Sequence, residues 1–138
     1  MSRTIIATST IFVAATFCLG SITACVDTDE RPATWSYIHA TIIAPNCTTS
    51  RCHSSYNQTA DLALDDRSAA YAQLTGRSCD TGIGLDHNFV YPGDPDRSKL
   101  MFLLRGIEVR QMPPDIPLSD AEIDLVERWI LEGALCND

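Results

Sequence analysis

The sequence predicts a small all-α domain with long loops. Apolar residues recur at helical spacing in four short stretches, each bounded by a capping residue, a glycine or a proline. One brief alternation, Leu62-Ala63-Leu64-Asp65, gives way at once to a helical pattern. There is no internal repeat and no low-complexity segment.

The chain opens with Met1-Ser2-Arg3, followed by an apolar stretch from Ile5 to about Leu19 without a charged residue. This is the layout of a signal peptide, and it is short of the roughly 20 apolar residues of a spanning helix. Ile22-Thr23-Ala24-Cys25 follows, with small residues leading into a cysteine. The segment resembles the lipobox of bacterial lipoproteins, which implies a signal peptide over 1–24 and lipidation of Cys25. Such a chain is exported to the periplasm or cell envelope and anchored to a membrane by acyl chains rather than spanning it. The bland alternative is an ordinary signal peptide cut near Ala24. Residues 25–34, the candidate lipid site and a polar run behind it, form a tether, and 35–138 form the domain.

Within the domain, Ile38 and Ile42, and His39 and Ile43, are one turn apart. A short helix is expected from Trp35 to Ile43, ending at Ala44-Pro45. Ala70, Tyr71 and Leu74 mark a second helix over Ser68 to Leu74, closed by Gly76. Residues 75–90 are a Gly- and Asp-rich loop carrying Cys79, and a loop this long is usually functional or stapled. Tyr91-Pro92-Gly93-Asp94-Pro95 is a turn. A third helix spans Ser98 to Arg105, with Leu100, Leu103 and Leu104 on its apolar side. Gln111-Met112-Pro113-Pro114 breaks the pattern. Ser119-Asp120-Ala121-Glu122 is a capping box, and the last helix runs to about Leu131 with Ile123, Val126 and Ile130 on one stripe. Tyr71 and Trp129 read as core aromatics.

Formal net charge is -8, and removing residues 1–24, which hold Arg3 and no acid, makes it -9. An acidic surface argues against nucleic acid as a partner and suits a protein with a basic docking face. Of six cysteines, Cys18 lies in the signal segment and Cys25 is the lipid candidate. Cys47, Cys52, Cys79 and Cys136 remain. In an oxidising compartment two disulfides are the default, with three possible connectivities.

Cys47-Thr48-Thr49-Ser50-Arg51-Cys52-His53 offers a different use for the first two. Two thiols followed at once by histidine suit covalent haem attachment: the thiols add across the vinyl groups and His53 reaches the iron. The usual spacing has two intervening residues, whereas here there are four. On a regular helix, cysteines five positions apart point about 140° apart, so this segment must leave the helix to bring both to one group. The competing reading is a local Cys47–Cys52 disulfide beside a surface histidine. Zinc-finger spacing is absent, and a thiol oxidoreductase would place two residues between its cysteines.

The ordered set of motifs resembles the small domains of the planctomycete-type cytochrome c family. It comprises the helix before Pro45-Asn46-Cys47, the Cys52-His53 pair, Leu62 to Asp65, Ala70 to Leu74, Pro92-Gly93-Asp94-Pro95, Met112-Pro113-Pro114, and Leu118 to Ala134. The wide Cys47–Cys52 spacing departs from the family pattern. The resemblance implies a cytochrome c-like fold with the first and last helices packed together. It implies one covalent haem c on Cys47 and Cys52, with His53 as proximal ligand. The distal ligand is expected to be Met112, in a loop stiffened by two prolines, rather than Met101 on an apolar helix face. His39 and His87 are the rivals, His87 the stronger for its loop position. With the haem pair assigned, Cys79 and Cys136 are left to form a disulfide. The function expected is electron transfer to a redox partner protein, without catalysis of its own. The alternative is a haem-free extracytoplasmic lipoprotein that keeps the fold for a structural or interaction role.

Overall fold

A computed structural model of the chain describes residues 30–82 and 89–137. Cys18, Cys25 and His87 lie outside the described residues. Those described are helices and loops with no β-strand, so the domain is all-α as expected. Among them no helix is long and apolar enough to cross a membrane.

The first helix, α1, is built of three consecutive segments: an α-helical turn Trp35–Ile38, a π-helical segment His39–Ile43 and an α-helical turn Ala44–Cys47. It therefore continues past the Ala44-Pro45 stop that the sequence suggests. Proline inside a helix lacks an N–H and crowds the carbonyl four residues back. Here the Ala44 N–H bonds the His39 carbonyl, five residues back, and this wider turn immediately precedes Pro45. Asn46 Nδ2 donates to the Ile42 carbonyl at 2.9 Å.

At the other end of α1, Thr34 is the N-cap and accepts from the Tyr37 N–H. The Trp35 N–H donates to Asn137 Oδ1 (3.0 Å) and the Ser36 N–H to the Asn137 carbonyl (3.1 Å). These first-turn donors have no partner within a helix, so the C-terminal segment completes the start of α1.

Helix α2, Arg67–Thr75, is capped by the Asp66 side chain and ends at Gly76, whose φ of 67° suits glycine. A short 3-10 turn, Pro95–Arg97, leads into α3, Lys99–Arg105. Ser98, fully buried, joins them: its hydroxyl accepts from the Tyr91 N–H and donates to the Asp94 carbonyl. Helix α4, Asp120–Leu131, starts with the expected Ser119–Glu122 capping box. Arg105 on α3 pairs with Glu127 on α4 at 2.7 Å.

The core closes around Trp35 and Trp129, each 1 % exposed, with ring centroids 5.1 Å apart and planes 27° from parallel. Tyr71 meets both edge-on, at 5.7 and 6.4 Å. Each ring also has a partner for its polar tip. Trp35 Nε1 donates to the Arg67 carbonyl, Tyr71 OH to Ala134 and Trp129 Nε1 to Leu135. First and last helices thus pack together through stacked indoles, and Tyr71 and Trp129 are core residues. Met101 is buried in the same core. Cys79 and Cys136 lie at disulfide distance, their Cα atoms 5.3 Å apart, and tie the 77–82 loop segment to the C-terminal residues.

Candidate functional site

The site grows from the C-terminal end of α1. Cys47 is its last helical residue, and Thr48 leaves the helix at φ -104°, ψ 19°. The chain then folds back: the Cys52 N–H donates to the Thr49 carbonyl (2.8 Å) and the His53 N–H to the Cys47 carbonyl (2.9 Å). The four intervening residues form a compact turn closing on Cys47, not a helical continuation. As a result Cys47, Cys52 and His53 line one small pocket with Asn46, Met112, Pro113 and Pro114. Met112 comes from the loop after α3, where its N–H donates to the Leu103 carbonyl at 2.8 Å. The neighbouring Gln111 side chain donates to the Leu104 carbonyl at 2.9 Å.

His53 is held by its backbone and its ring. The Leu64 N–H donates to the His53 carbonyl at 2.7 Å, and the Thr59 N–H to the Cys52 carbonyl at 3.2 Å. Leu64 is steadied in turn, because the Gln73 side-chain amide bonds both backbone groups of Ala63. His53 Nδ1 lies 2.8 Å from the Thr59 carbonyl oxygen. A carbonyl only accepts, so Nδ1 carries the hydrogen and Nε2 keeps its lone pair for a metal or a donor. The loop is pinned further along, where the Ser55 N–H and hydroxyl both donate to Asp65, at 2.9 and 2.6 Å. These hydrogen bonds from Ser55 hold the Asp65 carboxyl below its usual range, against a smaller opposing effect of desolvation.

Cys47 and Cys52 are free thiols, unlike Cys79 and Cys136. Burial pushes the Cys47 thiol up to about 11, and the nearby Cys52 adds to the shift. Thr49 Oγ1 donates to Cys52 Sγ at 3.1 Å. The Ser54 hydroxyl, buried beside His53 in sequence, has no hydrogen-bond partner among the described residues.

Two residues weighed as alternative ligands are committed elsewhere. His39 is buried, with Nε2 2.9 Å from the Leu64 carbonyl and its ring 5.6 Å from that of Trp35. That bond uses Nε2 as a donor, so His39 is a core histidine. Met101 belongs to the core.

The pocket is tight, about 30 Å³, the room of a water molecule. A groove of about 210 Å³ adjoins it, sharing Asn46, Cys52, Pro113 and Pro114 and reaching Thr49, Asp115 and Ile116. A larger cleft of about 450 Å³ lies between the 58–63 loop and α2, and among the described residues no Cys, His or Met lines it.

The Thr59 carbonyl, the Leu64 N–H and the Gln73 clamp have no signal in the sequence. Backbone groups carry no residue-type signal, and a glutamine on a short helix reads as a solvated side chain. Comparison with known proteins finds no match, whether by protein-family model, by curated protein or by solved structure.

Proposed function

We propose that the chain is an exported, lipid-anchored electron carrier of the c-type cytochrome kind. In this reading one haem is joined to Cys47 and Cys52, with His53 and Met112 as axial ligands. One observation carries it: four side chains spread from position 47 to 112 line one pocket, and they are two thiols, an imidazole and a thioether. That donor set fits the group, because thiols form the thioethers while imidazole and thioether are soft neutral iron ligands. The hydrogen bond from His53 Nδ1 to Thr59 leaves Nε2 as the binding atom and raises its basicity.

The bound group would supply a one-electron couple. Cys47 and Cys52 would fix it covalently, and His53 and Met112 would supply ligands to its iron. A thioether opposite an imidazole favours a higher potential than two imidazoles. The pocket and groove together fall short of the roughly 300–1,000 Å³ of ordinary cofactor sites. Admitting a macrocycle therefore requires the pocket and groove to widen. The acidic chain suits a redox partner with a basic docking face. Anchoring rests on Ile22-Thr23-Ala24-Cys25 and predicts that Cys25→Ser releases the protein from membranes or blocks its maturation.

The test is an absorbance spectrum of protein made in a host with a haem-attachment system. Colour should survive acid-acetone extraction and give a thioether-type pyridine haemochrome. His53→Ala should lose the haem or its spectrum. Met112→Ala should keep the haem and lose the weak long-wavelength band of an iron–thioether bond. Colourless parent protein would sink the reading. It would promote a haem-free lipoprotein with a structural or interaction role, which the small size of the pocket favours.

A further inference from the structure

We infer that the two thiols act in a fixed order, Cys52 capturing the incoming group and Cys47 locking it. Thr49 positions the first of the two. The identity of the group rests on the haem reading above, but the order rests on the geometry of the turn. Cys52 borders both the pocket and the adjoining groove, whereas Cys47 borders only the pocket. Cys47 is also the last residue of α1 and packs against the core, so Cys52, which faces two openings, has the wider approach for a reagent. The Thr49 hydroxyl, itself on the groove, donates to Cys52 Sγ at 3.1 Å and fixes the sulfur's direction.

The bond changes are those of thiol addition to an alkene. A carbon–sulfur bond forms while the S–H bond and the C=C π bond break. The hydrogen ends on the neighbouring carbon, with no net oxidation or reduction. After the first addition the second alkene is tethered beside Cys47, and the second step is intramolecular. Proximity of that kind compensates for poor access from solution. A four-residue turn suits this division, because it sets the sulfur that reaches the groove apart from the one packed on the core while both still line one pocket.

The test uses the full chain made without a haem-attachment system, with Cys79–Cys136 intact and Cys47 and Cys52 reduced. Limiting N-ethylmaleimide, an activated alkene, is added, and the adduct is mapped by peptide mass. Cys52 should be modified faster than Cys47 by about tenfold or more. Thr49→Val should narrow that preference and Thr49→Ser should restore it. Unmodified Cys79 and Cys136 report that their disulfide is intact, and a cooperative urea transition reports that each variant is folded. In a haem-attaching host, Cys47→Ser should retain haem through one thioether and Cys52→Ser should carry none. Equal labelling, Cys47 labelled first, or equal haem loading of the two variants would overturn the order. If the parent protein is colourless, the haem reading fails on its own and the maleimide result alone decides the order.

Discussion

The two ends of α1 are built for different purposes. At its start, Trp35 is 1 % exposed, stacked on Trp129 and hydrogen-bonded at its indole, while Asn137 takes up the Trp35 and Ser36 N–H groups. At its end, Cys47 is half-buried and leads into a turn whose outer residues are exposed and whose inner ones line a small pocket. One end is rich in apolar area with its polar atoms matched. The other collects sulfur and nitrogen donors and a buried hydroxyl with no described partner. The π segment His39–Ile43 lies between them. The packed core and the proposed chemistry thus occupy opposite ends of a single helix, which sets the scale of what each substitution should do.

The largest effect is expected at the aromatic end. Trp129→Ala removes the stacking partner of Trp35 and leaves a cavity, and should cost about 3–5 kcal/mol in urea unfolding. A cost below about 1 kcal/mol would break the comparison at its firmest point. Next, replacing both Cys79 and Cys136 by Ala frees a loop with a sequence separation of 57. The chain-entropy description puts that loss at about 4 kcal/mol at most. It should appear in thermal melts and leave maleimide labelling of Cys52 unchanged.

The third effect lies at the reactive end and depends on pH. The Cys47 thiol titrates from 9.0 when unfolded to about 11 when folded. The unfolded chain therefore ionises first as pH rises. Stability from this group is complete below pH 9 and is lost progressively up to about pH 11. The loss is about 2–3 kcal/mol. Comparing the thiol protein with Cys47→Ala isolates this slope from other titrations, and parallel curves would show that Cys47 is not buried in solution. The smallest effect is that of His53→Ala on the haem-free protein. It removes one hydrogen bond to a carbonyl near solvent, and should cost about 1 kcal/mol or less. A much larger cost would mean that the site end also carries the fold.

The aromatic end was largely legible in the sequence. Helical spacing gave α2, α3 and α4 to within a residue or two, because Gly76, Ser98 and the Ser119–Glu122 box mark their boundaries chemically. The end of α1 was misread because Pro45 is a reliable stop for an α-helix, whereas a π-helical turn ahead of it has no residue signature. At the site, residue types alone singled out Cys47, Cys52, His53 and Met112. Their meeting in one pocket depends on hydrogen bonds among backbone groups, such as His53 N–H to Cys47, that side-chain chemistry does not announce. His39 shows the converse: a histidine is a ligand candidate by type, and only its bond to the Leu64 carbonyl shows it to be occupied.

The Asn137 cap at the start of α1 also marks the end of the domain from which the chain before Trp35 departs. Arg31 is fastened to α4, its carbonyl accepting from Arg128 and its guanidinium reaching the Ala121 carbonyl at 3.4 Å. The chain therefore departs from the aromatic end, with the length of α1, about 20 Å, between that point and Cys47. With acyl chains on Cys25, residues 26–31 would span at most about 20 Å of stretched chain from the bilayer to this point. The domain would stand on its aromatic end like a post on a short leash. Its sulfur-lined mouth would lie on the far side from the membrane, within reach of partners approaching from solution.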